Sequence, residues 1–232
     1  MEDADVRGHA REAAATDGGR ADRAQDHLGT LGAAGCFSFF PTKPLGALGD
    51  GGAVVTQSGG PADRVRRLRQ HGSADRRAHL ELGGNWRLDA LQAALLRAKL
   101  PHLAGWIDQR RALAAAYSRA LADLDAIALP AAAAAAAGNE PAGNEPAWAH
   151  YVLRVHDGRR DALAQHLDAH AIGCAVYYRR PLHLEPAFAH LDYARGAFPH
   201  AERAADELIA IPLFPGLDAD RQGRVIDAVR GF

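Results

Sequence analysis

The chain has 232 residues, 48% of them hydrophobic, enough for one sizeable domain or for a large and a small one. Its 27 lysines and arginines against 28 acids leave a formal charge of -1, without the basic surplus of a protein held to nucleic acid by phosphate contacts. Cys36 and Cys174 are too few for a disulfide scaffold, no apolar run reaches transmembrane length, and the polar start "MEDADVRGHA" is no signal peptide. The expectation is a soluble cytoplasmic protein with neither membrane nor nucleic acid among its partners.

Residues 1–30 are rich in Ala, Arg, Asp and Gly without a period, and read as a poorly defined lead. From Gly35 the character changes. "GCFSFF" reads as a buried strand, "KPLGALGDGG" as turn material and "GGAVVTQ" as a second, valine-rich strand. Pro61-Ala62-Asp63 opens a helix through "RVRRLRQHG", closed at Gly72. Leu88, Leu91, Leu95 and Leu96 recur at helical spacing, and Leu100, Leu103, Ile107 and Leu113 extend the pattern. Pro101 is expected to kink or divide that helix. Its periodicity ends near residues 123–129.

Residues 130–147, "PAAAAAAAGNEPAGNEPA", are low complexity with "AGNEP" in tandem, and read as a surface loop. Beyond them comes a βαβ-like pattern: "HYVLRV" as strand, "DGRRDALAQHLDAHAI" as turn and helix, "GCAVYY" as strand. "PHAERAADELIAI" reads as a helix stopped by Pro212, and "DADRQGRVIDAVRGF" as a last helix capped by Asp218 or Asp220. Four parts result: the lead 1–30, a partial large domain with connecting helices 31–129, the loop 130–147, and a small α/β domain 148–232.

The chemistry-bearing residues are few. Lysine occurs only at Lys43 and Lys99 in a chain that otherwise uses arginine. Arginine stays protonated, whereas a desolvated lysine can lose its proton and act as a nucleophile. Taken alone, Lys43 is a loop lysine before a proline, and Ser38 a small residue in a buried strand. "GALGDGG" leads into a valine strand and lacks Gly-Lys-Ser/Thr, so it reads as a tight turn, not a phosphate loop. "RVRRLRQ" reads as a solvated helix face. Cys36 and Cys174 read as small core residues, and Trp86, Trp106 and Trp148 as packing residues.

At "FSFFPTKPLGALGDGGAVVT" the sequence resembles the DegT/DnrJ/EryC1/StrS family of pyridoxal-phosphate-dependent nucleotide-sugar aminotransferases. The likeness continues through "HGSADRRAHLELGGNWRLDALQAALLRAKLPHL", "HYVLRV", "VYYRRPLHLEPAF" and "FPHAERAADELIAIPLFPGL". It implies an α/β chain, part of a fold-type-I transferase, with Lys43 bonded to pyridoxal 5'-phosphate. Ser38 matches a serine on the cofactor phosphate. Asn85 matches an asparagine reaching the phosphate of the neighbouring subunit's cofactor, which implies a homodimer. Tyr178 and His183 match a stretch near the sugar. The implied reaction moves an amino group, commonly from glutamate, onto a nucleotide-linked keto-sugar.

In that family an aspartate pairs with the cofactor ring nitrogen. Asp3 in "MEDA" and Asp22 in "DRAQDH" are both candidates, and Asp22 is preferred because Gln25 and His27 follow it at matching offsets. By the same resemblance the chain corresponds to about the C-terminal three-fifths of a family member. A catalytically silent remnant is therefore the alternative to an active enzyme. Transamination needs a neutral amine at Lys43, and Phe37, Phe39 and Phe40 are expected to bury it and disfavour its charge.

Overall fold

The structure is a computed structural model that describes residues 29, 31–130 and 146–232. Asp3, Asp22 and most of the low-complexity connection lie outside the described residues. The chain divides into two compact units, the first ending at Leu103 and the second beginning at Ala104.

The first unit starts with an antiparallel hairpin of β1 (Gly35–Ser38) and β2 (Gly52–Val55), with Gly35 opposite Val55 and Ser38 opposite Gly52. β1 is not the buried strand that its apolar run suggested. With one partner strand its side chains stay in solvent: Phe37 is 45% exposed, and Cys36 is exposed as well. Helix α1 (Gly59–Leu68) follows, with no buried residue, so the arginine-rich stretch is a solvated helix. It ends four residues before Gly72, which turns the chain at φ +74°. Helix α2 (Ala90–Lys99) buries Leu96, and Pro101 divides the long apolar repeat at the 3-10 turn Leu100–His102, as its missing N–H requires.

The second unit holds the hydrophobic core. Helix α3 (Leu103–Ala120) supplies Ala114 and Tyr117, and the sheet orders as β3 (Ile127–Ala128), β4 (Tyr151–Val155) and β5 (Leu208–Ile211), all antiparallel. On β4 alternate residues Tyr151, Leu153 and Val155 are fully buried, the period-2 pattern of a strand with one face on a core. Helix α4 (Arg160–Ala169) buries Leu163 and Leu167, and α6 (Ala219–Arg230) buries Val225, Ala228 and Val229.

Two expectations change here. "GCAVYY" is no strand: Ala175 makes one bridge, to Ala210, and the chain then turns away, so the unit is not a βαβ crossover. The helix α5 (Pro199–Glu207) stops before "LIAI", which is β5. Short apolar runs do not reveal their period, and pairing with β4 decides this one. Asp218, not Asp220, caps α6 by accepting from Arg221 N at 2.8 Å. Trp148 packs on the core and stacks on Tyr151, with ring centroids 5.5 Å apart. Among the described residues no helix is long and apolar enough to cross a membrane.

Candidate functional site

Between the hairpin strands the chain makes the loop that carries Lys43. Two backbone bonds close its base: Phe39 N donates to Gly51 O at 2.8 Å, and Ala47 N donates to Phe39 O at 2.7 Å. Inside it Lys43 N donates to Phe40 O at 2.9 Å, forming the turn that sets the lysine. Ser38, exposed at the end of β1, accepts at Oγ from Phe40 N at 3.3 Å. Gly46 folds directly onto Pro41: a Cβ there would stand 2.8 Å from the Pro41 carbonyl carbon and closer still to its oxygen. Lys43 is half-buried. The aromatic residues expected to bury it are themselves largely in solvent: Phe37 and Phe40 are 45% and 48% exposed, and Phe39 is half-buried.

Helix α2 braces the loop. Gln92 Oε1 accepts from Leu48 N at 2.9 Å, and one helix face further along Lys99 Nζ donates to Gly46 O. Both lysines of the chain therefore meet one loop, the first riding it and the second holding its carbonyl. Sequence reasoning did not single out Lys99 or Gln92 as site residues. The signal available was the rarity of lysine itself.

Asn85 lies elsewhere in the same unit, on an arm that folds back on the end of α1. His71 N donates to Gly84 O at 3.0 Å, Gly84 N to Leu68 O at 2.9 Å and Trp86 N to Arg69 O at 3.1 Å. At Gly72 a Cβ would stand 2.7 Å from the Glu81 carbonyl carbon, in a left-handed conformation that side chains resist. Glu81 accepts from Arg64 at 3.2 Å and Arg67 at 3.0 Å, fixing the arm to α1. Asn85 is exposed, and its Oδ1 accepts from Arg87 Nε at 2.9 Å. Beside it Leu82 is 97% exposed, and Leu80 and Trp86 are exposed too, so Trp86 does not pack within the chain as expected.

Tyr178 and His183 belong to the second unit. Tyr178 is 57% exposed, edge-on to Tyr177. The His183 side chain is only 7% exposed, and its Nε2 meets Glu202 Oε1 at 3.0 Å. Glu202 is buried on α5 and gathers the preceding loop, accepting from Gly196 N at 2.7 and 2.9 Å and from Phe198 N at 3.3 Å. Burial would push its carboxyl up, but the bonds from Gly196, Phe198 and His183 outweigh that and hold it below the ordinary range. His183 is thus tied into the fold, while Tyr178 is presented to solvent. Burial pushes the Cys174 thiol up, consistent with its half-buried packing place. Among the described residues no group of His, Cys, Asp or Glu could hold a metal ion.

The order of these parts — strand, closed lysine loop, strand, folded arm, long divided helix, small antiparallel unit — defines a class that the comparisons identify. The chain belongs to the DegT/DnrJ/EryC1/StrS aminotransferase family, whose model matches residues 10–230. It is 41% identical over 203 residues to a dTDP-3-amino-3,4,6-trideoxy-alpha-D-glucose transaminase of Streptomyces venezuelae, covering 88% of this chain and 51% of that one. It is 40% identical over 206 residues to a UDP-N-acetyl-3-dehydro-alpha-D-glucosamine 3-aminotransferase of Acidithiobacillus ferrooxidans, covering 88% of this chain and 52% of that one. The crystal structure of S. venezuelae DesV in complex with a ketimine intermediate superposes with TM-score 0.77 at 42% identity, covering 86% of this chain and 52% of DesV. The chain spans about half the length of the relatives it matches. Its α/β fold is that of the sugar aminotransferases.

Proposed function

We propose that this chain carries the lysine-bearing part of a pyridoxal-phosphate-dependent aminotransferase whose substrate is a nucleotide-linked keto-sugar, with glutamate as amino donor. The observation that carries the reading is the Lys43 loop: a half-buried lysine on a turn closed at its base by two backbone bonds, with an exposed serine, Ser38, where the loop begins. These residues fit the cofactor, which needs an amine to bond its aldehyde and donors for its phosphate. The names of the dTDP- and UDP-sugar relatives support the substrate class.

In this reading Lys43 Nζ, when neutral, would hold the cofactor covalently, and Ser38 Oγ would donate to its phosphate. Asn85, exposed on its arm, reaches the phosphate held by a second copy of the chain, so the working form is a homodimer. Tyr178 offers its hydroxyl to the sugar, and His183, fixed by Glu202, belongs to the same substrate stretch. Of the two candidates for the ring-nitrogen partner, Asp22 remains preferred over Asp3. When bound, the cofactor supplies the electron sink on which the chemistry depends. Lys43 Nζ, once free, would move a proton between the substrate carbon and the cofactor carbon. The cytoplasm, where nucleotide-sugars are made, suits such an enzyme.

The test is amino transfer by the full chain supplied with pyridoxal 5'-phosphate, glutamate and a dTDP- or UDP-linked keto-sugar, read as 2-oxoglutarate and amino-sugar formed. Wild type should form both and Lys43→Ala neither. Equal turnover by Lys43→Ala would remove the assignment. No turnover by folded wild type would leave a catalytically silent chain.

A further inference from the structure

Lysine is so scarce in this chain that the second copy asks for its own explanation. Lys99 is the last residue of α2, and its ammonium could have stayed in water, as lysines at helix C-termini do. Instead it is half-buried, and Nζ donates to the carbonyl of Gly46, 53 residues earlier in the chain. Gly46 is buried, sits three residues after Lys43 and lies flat against Pro41, two residues before it. Whatever holds Gly46 therefore holds both ends of the lysine turn.

Gln92 stands two helical turns before Lys99, on the same face of α2, and accepts from Leu48 N at 2.9 Å. Gly49 and Gly51 extend the contact: a Cβ at Gly49 would stand 2.9 Å from Gln92 Nε2, and one at Gly51 would stand 3.0 Å from Leu88 Cδ1. The loop from Gly46 to Gly51 thus meets Leu88 just ahead of α2 and Gln92 and Lys99 on one face of the helix, held by an amide in the middle and a cation at one end. A cation on a backbone carbonyl is the stronger grip, because hydrogen bonds with an ionised partner are roughly twice as strong as neutral ones.

We infer that Lys99 is a positioning residue for Lys43: by holding the Gly46 carbonyl it fixes the Pro41–Gly46 turn and so fixes where the Lys43 amine can react. The inference rests on the assignment of Lys43 in the proposed function for its purpose, but not for its geometry. Methionine at position 99 keeps the length and packing of the stem and removes the donor. Arginine keeps a donor able to reach the same carbonyl.

The experiment is amide hydrogen exchange on the full chain, wild type, Lys99→Met and Lys99→Arg, followed by the rate at which pyridoxal 5'-phosphate adds to Lys43, trapped with borohydride. In Lys99→Met the amides of Lys43 and Ala47 should exchange about tenfold faster, the effect of losing one charge-assisted bond. Those of His71 and Gly84, in the arm of the same unit, should not change. Addition at Lys43 should slow by a similar factor, and Lys99→Arg should restore both. Unchanged exchange at Lys43 and Ala47 in Lys99→Met would overturn the inference. So would a uniform rise that includes His71 and Gly84, which would make Lys99 a general fold residue. If wild type forms no adduct at Lys43, the functional reading fails, and the exchange arms still decide whether Lys99 holds the turn.

Discussion

Substituting Gly46 with alanine tests the lysine loop where it is tightest. The added Cβ would stand 2.8 Å from the Pro41 carbonyl carbon and 3.0 Å from its Cα, against an ordinary contact distance of 3.4 Å or more. All of these atoms are backbone, so no side chain can swing aside, and the turn must open by about 1 Å where the oxygen lies closest; a displacement of that size costs a positioned reaction roughly 100-fold. The opening also pulls the Gly46 carbonyl from Lys99 and strains the bond from Ala47 N to Phe39 O. The assay is stopped-time labelling of Gly46→Ala with pyridoxal 5'-phosphate and borohydride, quantified at the Lys43 peptide. Labelling should slow by about 100-fold while the second unit keeps its unfolding transition. Labelling within twofold of wild type would refute the claim that this turn sets the lysine.

In the second unit Leu153→Ala, at a fully buried position of β4, should cost about 2–5 kcal/mol in chemical denaturation, and a loss under 1 kcal/mol would mean the core is not where it is placed. The paired bonds from Arg230 to Asp123, at 2.7 and 2.8 Å, hold that carboxyl at about 2 against an ordinary 3.8. A depressed folded value gives stability that is complete above the ordinary value and lost as pH falls through 3.8 toward about 2. Asp123→Asn should therefore flatten the acid limb of stability across that window, and Glu202→Gln should do so just below the ordinary glutamate range, since its carboxyl is also held down. Asn85→Ala should weaken cofactor retention only in the dimer. Equal retention by dimeric wild type and dimeric variant, read by sedimentation with cofactor absorbance, would remove the cross-subunit role.

Much of the second unit is legible in the sequence because its periods are clean. Tyr151, Leu153 and Val155 alternate on β4, and Pro101 marks the division between α2 and α3. "LIAI" was not legible, since four apolar residues continue a helix as readily as they form a strand. In the first unit the aromatic run announces a strand but not its cover: a two-stranded hairpin leaves Phe37 and Phe40 in solvent. At the candidate site, Lys43 and Ser38 are local in sequence, and the motif around them singles both out as candidates. Lys99 was not, because its partner is a backbone carbonyl 53 residues away that carries no side-chain signature.

The proposed chemistry depends on one amine, that of Lys43. Mixing the chain with pyridoxal 5'-phosphate, reducing with borohydride and mapping the adduct by mass spectrometry tests it most directly, because only two lysines and the N-terminal amine can react. The expected result is an adduct confined to Lys43. No adduct, or equal labelling of Lys43 and Lys99, would contradict it.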